Sequence, residues 1–405
     1  MKILEVTTHV TIDDDSRFTR NRTGFGYMVY DIAKYIAKKE QVDLFCTTIM
    51  TEGVSRDNLR ILRWNWYLLL SSFRFGNIIS GLKFINKYPV PGLFLRFRIL
   101  FFYLLNGYLS KIINDYDVIH IHGCTPLTEV VLDVCRKIGK KCLVTLHGLN
   151  SIGDSVNLSG SLKQYERDFL KKAVVEKIPL SFISSGDCKN ASTIGECDVI
   201  PQNWYVISNG CNIVRSANNQ SIRSKYNIDD SDFLYVYVGN ISKNKNQIAV
   251  AKAYSMLPIE EQKRIKVIFV GNEADQGELS HFINSKKLNS KLLLAGFVPK
   301  EEVHNYYYSS NATILVSIQE GFGLSIIEGF VYGKPNVTYT DLSSVPDVYN
   351  DKVMLTILDR SPKSLAKALI DASHIEWNID FISQYSKQFS LDAMADKYLN
   401  VIKNL

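Results

Sequence analysis

The stretch Ser317-Ile-Gln-Glu320-Gly-Phe-Gly-Leu-Ser-Ile-Ile-Glu328-Gly-Phe-Val-Tyr-Gly-Lys334-Pro335 decides how this chain is read. Its two glutamates stand eight residues apart, divided by the glycine-broken turn Gly321-Phe322-Gly323 and an apolar run with the composition of a buried helix. An apolar strand, Ala312–Val316, precedes it, so the local order is strand, glycine-rich turn, helix. A helix entered from such a turn starts with backbone N–H groups that lack intrahelical partners, which makes an anion site. Glu320 falls at the strand's carboxyl end, where open α/β sheets take their ligands, and Glu328 on the first turns of the helix.

Outward from this unit, short apolar strands alternate with helical patterns in both halves, the mark of parallel α/β sheets. Strands are expected in the first half at Lys2–Val6, Val42–Cys46, Val118–His122, Lys141–Leu146, Leu180–Ile183 and Tyr205–Ile207. In the second half they are expected at Phe233–Val238, Lys266–Val270, Lys291–Leu294, Ala312–Val316 and Asn336–Thr340. A helix from Phe25 carries Met28, Val29, Ile32, Ala33 and Ile36 near the helical period. Arg215–Asp232, rich in Ser, Asn and Asp, reads as a linker with a short helix. A length of 405 residues exceeds one hydrophobic core, so two doubly wound domains are expected.

Apolar content of 46% and charged content of 22% are those of a globular chain. Seven cysteines without any C-x-x-C pair argue against a disulfide framework or a zinc ribbon and fit a reducing cytosol. The N-terminus, with Glu5 inside its first apolar run, reads as a strand rather than a leader. The net charge of +6 is unevenly spread: between Asn58 and Asn114 there is no Asp or Glu, but Arg60, Arg63, Arg74, Lys83, Lys87, Arg96, Arg98 and Lys111. Trp64, Trp66, Tyr67, Phe73, Phe75, Phe94, Phe97, Phe101 and Phe102 interleave with them. No uninterrupted apolar run reaches the roughly 20 residues of a spanning helix. Residues 60–111 suit either an anionic membrane interface or a core helix pair with solvated basic flanks. No nucleic-acid module accompanies them, so nucleic acid is not an expected partner.

The stretch quoted first resembles the Glu-x7-Glu signature of retaining GT-B glycosyltransferases, in particular the large GT4-like family (glycosyl transferases group 1). That pattern, E-G-x-G-[LFY]-x-x-x-E followed by G-x-P, is met at Glu320, Gly321, Gly323, Leu324, Glu328, Gly333 and Pro335. The bland alternative is a surface loop and helix cap with two solvated carboxylates. The resemblance implies the GT-B class, two Rossmann-like doubly wound domains facing across a cleft. It implies an acceptor-side domain over 1–213, a donor-side domain over 214–385, and a terminal helix, 386–405, that packs back on the first domain. It further implies a nucleoside-diphosphate sugar as donor, a glycan or lipid-linked saccharide as acceptor, no cofactor and no metal.

Other segments match pieces of the same family. Tyr237-Val-Gly239-Asn240-Ile-Ser-Lys243-Asn-Lys245-Asn246 resembles V-G-R-x-x-x-x-K-[GN], whose Arg and Lys neutralise the donor diphosphate. Lys245 holds the Lys position, but Asn240 stands where the Arg would be and removes a bidentate, permanently charged contact. Lys243 or the helix start after Gly323 would then compensate. Asn21-Arg-Thr-Gly24-Phe-Gly26 opens the first helix and lacks both the third glycine of a dinucleotide fingerprint and the Lys-Ser/Thr of a P-loop. In the family a glycine-rich loop here faces donor phosphates and acceptor, which assigns Gly24 and Gly26 to donor binding. His147, in Leu143-Val-Thr-Leu-His-Gly148, matches the histidine that contacts the transferred sugar. His120 and His122 are expected on opposite faces of one strand, in structural roles, without a third metal ligand. Asn209-Gly210 resembles the V-x-x-N-G-V-D element, and main-chain groups near Val298 are implied at the base.

By the same resemblance Glu320 holds hydroxyls of the transferred sugar, and Glu328 holds the donor ribose. Lys245 and the N–H groups of Phe322–Leu324 stabilise the leaving diphosphate during front-face attack. Two alternatives stand beside this reading. Asp13-Asp14-Asp15 could serve a metal-dependent GT-A-type transferase, and Asn240 suits a catalytically silent binder or scaffold of the same fold. The implied setting is bacterial surface polysaccharide, O-antigen or lipopolysaccharide biosynthesis, in the cytoplasm and peripheral at the inner membrane face.

Overall fold

The computed structural model describes residues 1–19, 22–47, 54–56, 58–62, 64, 66–152, 159–215, 222–273 and 277–405. Asn21 of the first glycine loop, Arg63 of the basic segment and residues 216–221 of the expected linker lie outside them. The chain divides into two compact units, Met1–Asn209 with Leu391–Leu405, and Gly210–Ser390. Every strand expected from the sequence forms, within two residues of its expected bounds. The seven cysteines are free.

The first unit carries β1 (Lys2–Thr7), β2 (Gln41–Cys46), β3 (Val54–Arg56), β4 (Leu59–Ile61), β5 (Val118–His122), β6 (Lys141–Leu146), β7 (Leu180–Phe182) and β8 (Trp204–Val206). Their order across the sheet is β3-β4-β2-β1-β5-β6-β7-β8. All neighbours are parallel except β3 and β4, an antiparallel edge pair. The central strands are buried on both faces, which is why they are nearly continuous apolar runs. Glu5, His120 and His122 interrupt that rule and are wholly buried. The helix Gly24–Ile36 buries Met28, Val29, Ile32, Ala33 and Ile36, the stripe its spacing predicts. The last helix, Leu391–Lys403, belongs to this unit, with Lys38–Asp392 at 3.0 Å and Lys403–Glu40 at 2.9 Å. Those pairs are largely exposed and add little stability. The buried Tyr398 ring, 5.1 Å from that of His120, anchors the helix to the sheet.

The acid-free segment forms helices Trp66–Leu70, Phe75–Lys87, Leu93–Leu104 and Asn106–Ile112. The segment divides its large side chains between the core and the surface. Phe84, Ile99, Phe102, Leu105, Tyr108 and Leu109 join the domain core with Tyr88 and Tyr165. Tyr67, Leu70, Phe75, Leu93, Phe94 and Phe97 remain in solvent. Leu93–Asp115 is long and apolar enough to cross a membrane by length and composition, with 39% of its apolar window buried inside the domain.

The second unit carries β9 (Phe233–Val238), β10 (Ile265–Val270), β11 (Leu292–Gly296), β12 (Ala312–Leu315), β13 (Asn336–Tyr339) and β14 (Met354–Ile357). All are parallel, in the order β11-β10-β9-β12-β13-β14. Counted within the domain this is the doubly wound order 3-2-1-4-5-6, whose direction reverses between β9 and β12.

Candidate active site

The loop after β9 and the loop after β12 meet at this reversal. Ile241 N–H donates to Asn272 O at 2.8 Å and Gly239 N–H to Val270 O at 2.8 Å, tying the first loop to the strand beside it. Gln247, buried, braces it from beneath: its amide donates to the carbonyls of Gly239 (3.3 Å) and Asn240 (3.2 Å), and its carbonyl accepts from Ser242 N–H at 3.2 Å. Asn244 bridges the two loops, donating to Gln319 O at 3.0 Å and accepting from Gln319 N–H at 3.2 Å. Arg360 fixes the second loop through Ser317 O at 3.1 Å. The result is one ion pair: Lys245 Nζ lies 2.5 Å from Glu320 Oε2, with side chains 27% and 16% exposed. Ser317 Oγ donates to the same carboxylate oxygen at 3.1 Å.

The helix Leu324–Val331 begins directly after this pair. Gly323 adopts φ +74°, and a Cβ there would stand 2.6 Å from Leu315 Cδ2, so both backbone and space require glycine. Phe322 is buried and holds the turn down. Among the described residues no side chain caps the helix start. Glu328, half-buried, accepts from Tyr307 OH at 2.8 Å. Burial, then the Glu328 carboxylate, push the Tyr307 hydroxyl's pKa well up, so it stays a donor. Tyr332 stacks on Tyr307 with centroids 6.0 Å apart.

In the first unit the sheet order reverses between β1 and β5, and a second set of groups collects there. Side chains two apart on a strand share a face, so His120 and His122 do not point to opposite sides as expected. Both reach Glu5: His122 Nε2 lies 2.7 Å and His120 Nδ1 2.8 Å from Oε2. His147, at the end of β6, presents Nε2 3.0 Å from His122 Nδ1. His120 Nε2 lies 2.7 Å from Thr145 Oγ1, which is 2.5 Å from Ser181 Oγ. Glu5, His120 and His122 therefore offer the three ligand atoms expected to be lacking. Their spacing is that of hydrogen bonds, since two ligand atoms on one tetrahedral zinc stand about 3.3 Å apart. Burial alone would raise the Glu5 pKa, but the imidazoles of His120 and His122 outweigh it and hold it at about 2. Burial, then His120, lowers His122 to about 4, and burial, then His122, lowers His147 well below the usual imidazole range.

The first glycine loop adjoins His147. Thr23 caps the helix through Gly26 N–H at 3.0 Å, and its hydroxyl lies 2.8 Å from His9 Nε2. A Cβ on Gly26 would stand 2.3 Å from Thr11 Oγ1, so this glycine admits close approach, whereas Gly24 is exposed with open space around it. The Phe25 ring lies 5.0 Å from both His9 and His147.

Within the second unit the structure brings together Lys245, Glu320 and the turn Gly321–Leu324, with Glu328 on the helix that turn starts. Asn240 and Lys243 are exposed on the loop after β9, and Val298 packs half-buried against the core cluster that holds Leu234, Val236 and Tyr306. Within the first unit it brings Phe25 beside His147, and Gly26 beside Thr11 and His9. The aspartate triplet diverges. Asp13 accepts from Tyr27 OH at 2.5 Å, Asp14 pairs with Arg56 at 2.7 Å, and Asp15 with Arg17 at 2.5 Å. Hydrogen bonding to Arg17 holds Asp15 at about 2. Among the described residues the triplet forms no metal-ligand group, and the two-sheet architecture removes the GT-A alternative. Gln247, Asn244 and Tyr307 were not singled out from the sequence, and Glu5 and His122 were named there without a place in the site. Glu5 carried a signal, a carboxylate inside an otherwise apolar strand.

Residues 218–389 match the family model described as Glycosyl transferases group 1. The O-antigen biosynthesis glycosyltransferase WclY of Escherichia coli is 24% identical over 312 residues, spanning 73% of this chain and 82% of that one. Alpha-monoglucosyldiacylglycerol synthase of Acholeplasma laidlawii is 23% identical over 304 residues, spanning 72% and 74%. Among solved structures, HepE of Anabaena in complex with UDP and glucose matches with a TM-score of 0.67 at 15% identity, covering 100% of both chains. At that identity the likeness is one of fold.

Proposed function

The chain belongs, through residues 218–389, to the glycosyl transferases group 1 and has the GT-B fold, and on that premise we propose that it is a retaining, metal-independent glycosyltransferase. It moves a sugar, of hexosyltransferase type, from a nucleoside diphosphate to a hydroxyl of a lipid-linked glycan in bacterial O-antigen, lipopolysaccharide or related surface-polysaccharide synthesis. WclY and HepE, the latter with UDP and glucose, support that reading of donor and pathway. The observation that carries it is the Lys245–Glu320 pair at the sheet reversal, next to the uncapped helix start after Gly323. In the ligand-free chain the two charges satisfy each other. A diphosphate draws Lys245 away and frees Glu320 for sugar hydroxyls. Lys245 and the N–H groups of Phe322, Gly323 and Leu324 then carry the charge of the leaving diphosphate, the work a divalent ion would otherwise do. The bond from the anomeric carbon to the phosphate oxygen breaks, and the acceptor oxygen bonds on the same face. Its proton passes to the departing phosphate. Glu328, oriented by Tyr307, takes the ribose hydroxyls, Val298 lies at the base, and Gly321 gives the turn its close approach. Gly24 and Gly26 serve the donor phosphates, Asn240 lends neutral polar contact, and His147 serves the sugar.

A thermal-shift series with UDP, GDP and dTDP tests the donor site. A nucleotide at 100 times its Kd should stabilise the fold by about 2.7 kcal/mol, several degrees in Tm for a domain of this size. No shift with any of them would overturn the proposal. Donor hydrolysis without acceptor, lost in Glu320→Ala, separates an enzyme from the silent binder that Asn240 suggests.

The acceptor side rests on the helices of residues 60–111, whose outer side keeps Tyr67, Phe75, Leu93, Phe94 and Phe97 in solvent beside Arg74, Lys83 and Arg96. Rings that enter the headgroup layer and cations drawn to anionic lipid make this an interfacial anchor at the inner membrane face. The chain should float with vesicles containing phosphatidylglycerol and not with pure phosphatidylcholine. Phe94→Asp with Phe97→Asp should cut flotation at least tenfold while leaving donor hydrolysis intact. Equal flotation of the double variant would remove the anchor.

A further inference from the structure

With Glu5 ionised, the buried chain Glu5–His122–His147 has one consistent arrangement of protons. Glu5 stays ionised among its imidazoles and can only accept, so the His122 nitrogen facing it, Nε2 at 2.7 Å, must carry the hydrogen. Burial keeps His122 neutral, which leaves its Nδ1 bare. Nδ1 faces His147 Nε2 at 3.0 Å and can only accept, so His147 must donate from Nε2. His147 is neutral as well, and its remaining nitrogen, Nδ1, is a bare lone pair. That atom is shut from solvent and has no hydrogen-bond partner among the described residues. A buried acceptor left without a donor costs free energy that a ligand can recover. Phe25, on the first turn of the helix Gly24–Ile36, stands edge-on to the ring, 5.0 Å away, so a ligand at that helix start lies next to His147.

We propose that Glu5 and His122 are positioning residues that lock His147 as the Nε2–H tautomer, so that its Nδ1 accepts a hydrogen bond from a hydroxyl of the bound sugar once the side chains that close it off give way. The ligand half of this inference rests on the proposed function, and the tautomer half stands without it. His120 and Thr145 complete the support. His120 Nδ1 lies 2.8 Å from the same Glu5 oxygen but without hydrogen-bond geometry, and its Nε2 lies 2.7 Å from the Thr145 hydroxyl. Glu5→Gln is the informative change. The glutamine amide can donate to His122 Nε2, which lets both imidazoles reverse and turns His147 Nδ1 into a donor.

The test uses the full chain labelled with ¹⁵N-histidine and long-range proton–nitrogen correlation at neutral pH. The wild type should show His122 and His147 each with a protonated Nε2 and a bare Nδ1, and metal analysis should find no stoichiometric ion on the cluster. A protonated Nδ1 on His147, or a bound ion at Glu5, would overturn the lock. Because the wild-type spectrum decides this, a variant that fails to fold cannot shelter it. In folded Glu5→Gln the His147 tautomer should become mixed or reversed. Hydrolysis of whichever of UDP-glucose, UDP-galactose and GDP-mannose is turned over fastest should fall at least tenfold in kcat, a smaller loss than the roughly 10⁴-fold seen when the aspartate that fixes a catalytic histidine's tautomer is replaced. A released tautomer with unchanged kcat would refute the hydroxyl contact. The nucleotide thermal shift would still judge the proposed function separately.

Discussion

Lys245→Ala should lower donor turnover, read as kcat/KM, by about three orders of magnitude. Removing one preorganised group that meets developing charge costs roughly a hundred- to a thousandfold, and here the loss is double. The leaving diphosphate loses its cation, and Glu320, only 16% exposed, loses the partner 2.5 Å away. The carboxylate keeps the Ser317 hydroxyl at 3.1 Å and faces an incoming diphosphate of its own sign. Lys245→Arg should recover part of the rate, because charge is kept but a planar fork does not reproduce one short contact. Glu320→Gln combined with Lys245→Ala should cost much less than the two single effects multiplied, since both remove one coupled pair. A Lys245→Ala enzyme within tenfold of wild type would remove Lys245 from the chemistry.

Acid should unfold the first unit well before ordinary carboxylate titration. His122 is lowered from 6.5 to about 4 in the folded chain, so between those values the unfolded chain binds a proton that the folded chain refuses. Stability therefore rises with pH across that window and is lost as pH falls through it, on the order of 3 kcal/mol from this residue. His147 shifts in the same direction and adds to the slope. Glu5, lowered from 4.5 to about 2, contributes stability present above 4.5 and lost as pH falls toward 2. Urea midpoints measured between pH 7.5 and 4.5 should drop steeply, with an uptake of one to two protons on unfolding near pH 5. His122→Gln should flatten that dependence. A flat wild-type profile would mean that the imidazoles titrate freely.

Much of the second unit was legible because its information is local. β9, β10 and β12 are apolar runs bounded by glycine or polar turns, and Gly321-Phe322-Gly323 announces a helix entered through a left-handed residue. Lys245 and Glu320 could be named because each ends a strand with a recognisable loop. The edge strands β3 and β14, and β4 next to β3, were missed, because segments as short as Leu59-Arg60-Ile61 show no usable period and exist through pairing with a neighbour. The aromatic segment could not be assigned because one helix can put Phe102 in the core and Phe97 in water. Asn244, Gln247 and Tyr307 act through contacts that no short motif encodes.

By itself the sequence determined two parallel α/β domains, the glycine turns and the residue types available at strand ends, because strand period, helix stripe and glycine conformation are properties of near neighbours. Only the tertiary structure decided which charge meets which. Lys245 and Glu320 are 75 residues apart and Glu5 and His122 are 117 apart, and they touch because sheet order sets reversing strands side by side. Burial then turned ordinary histidines into neutral, direction-fixed hydrogen-bonding groups, since desolvation is a property of the whole packed sheet.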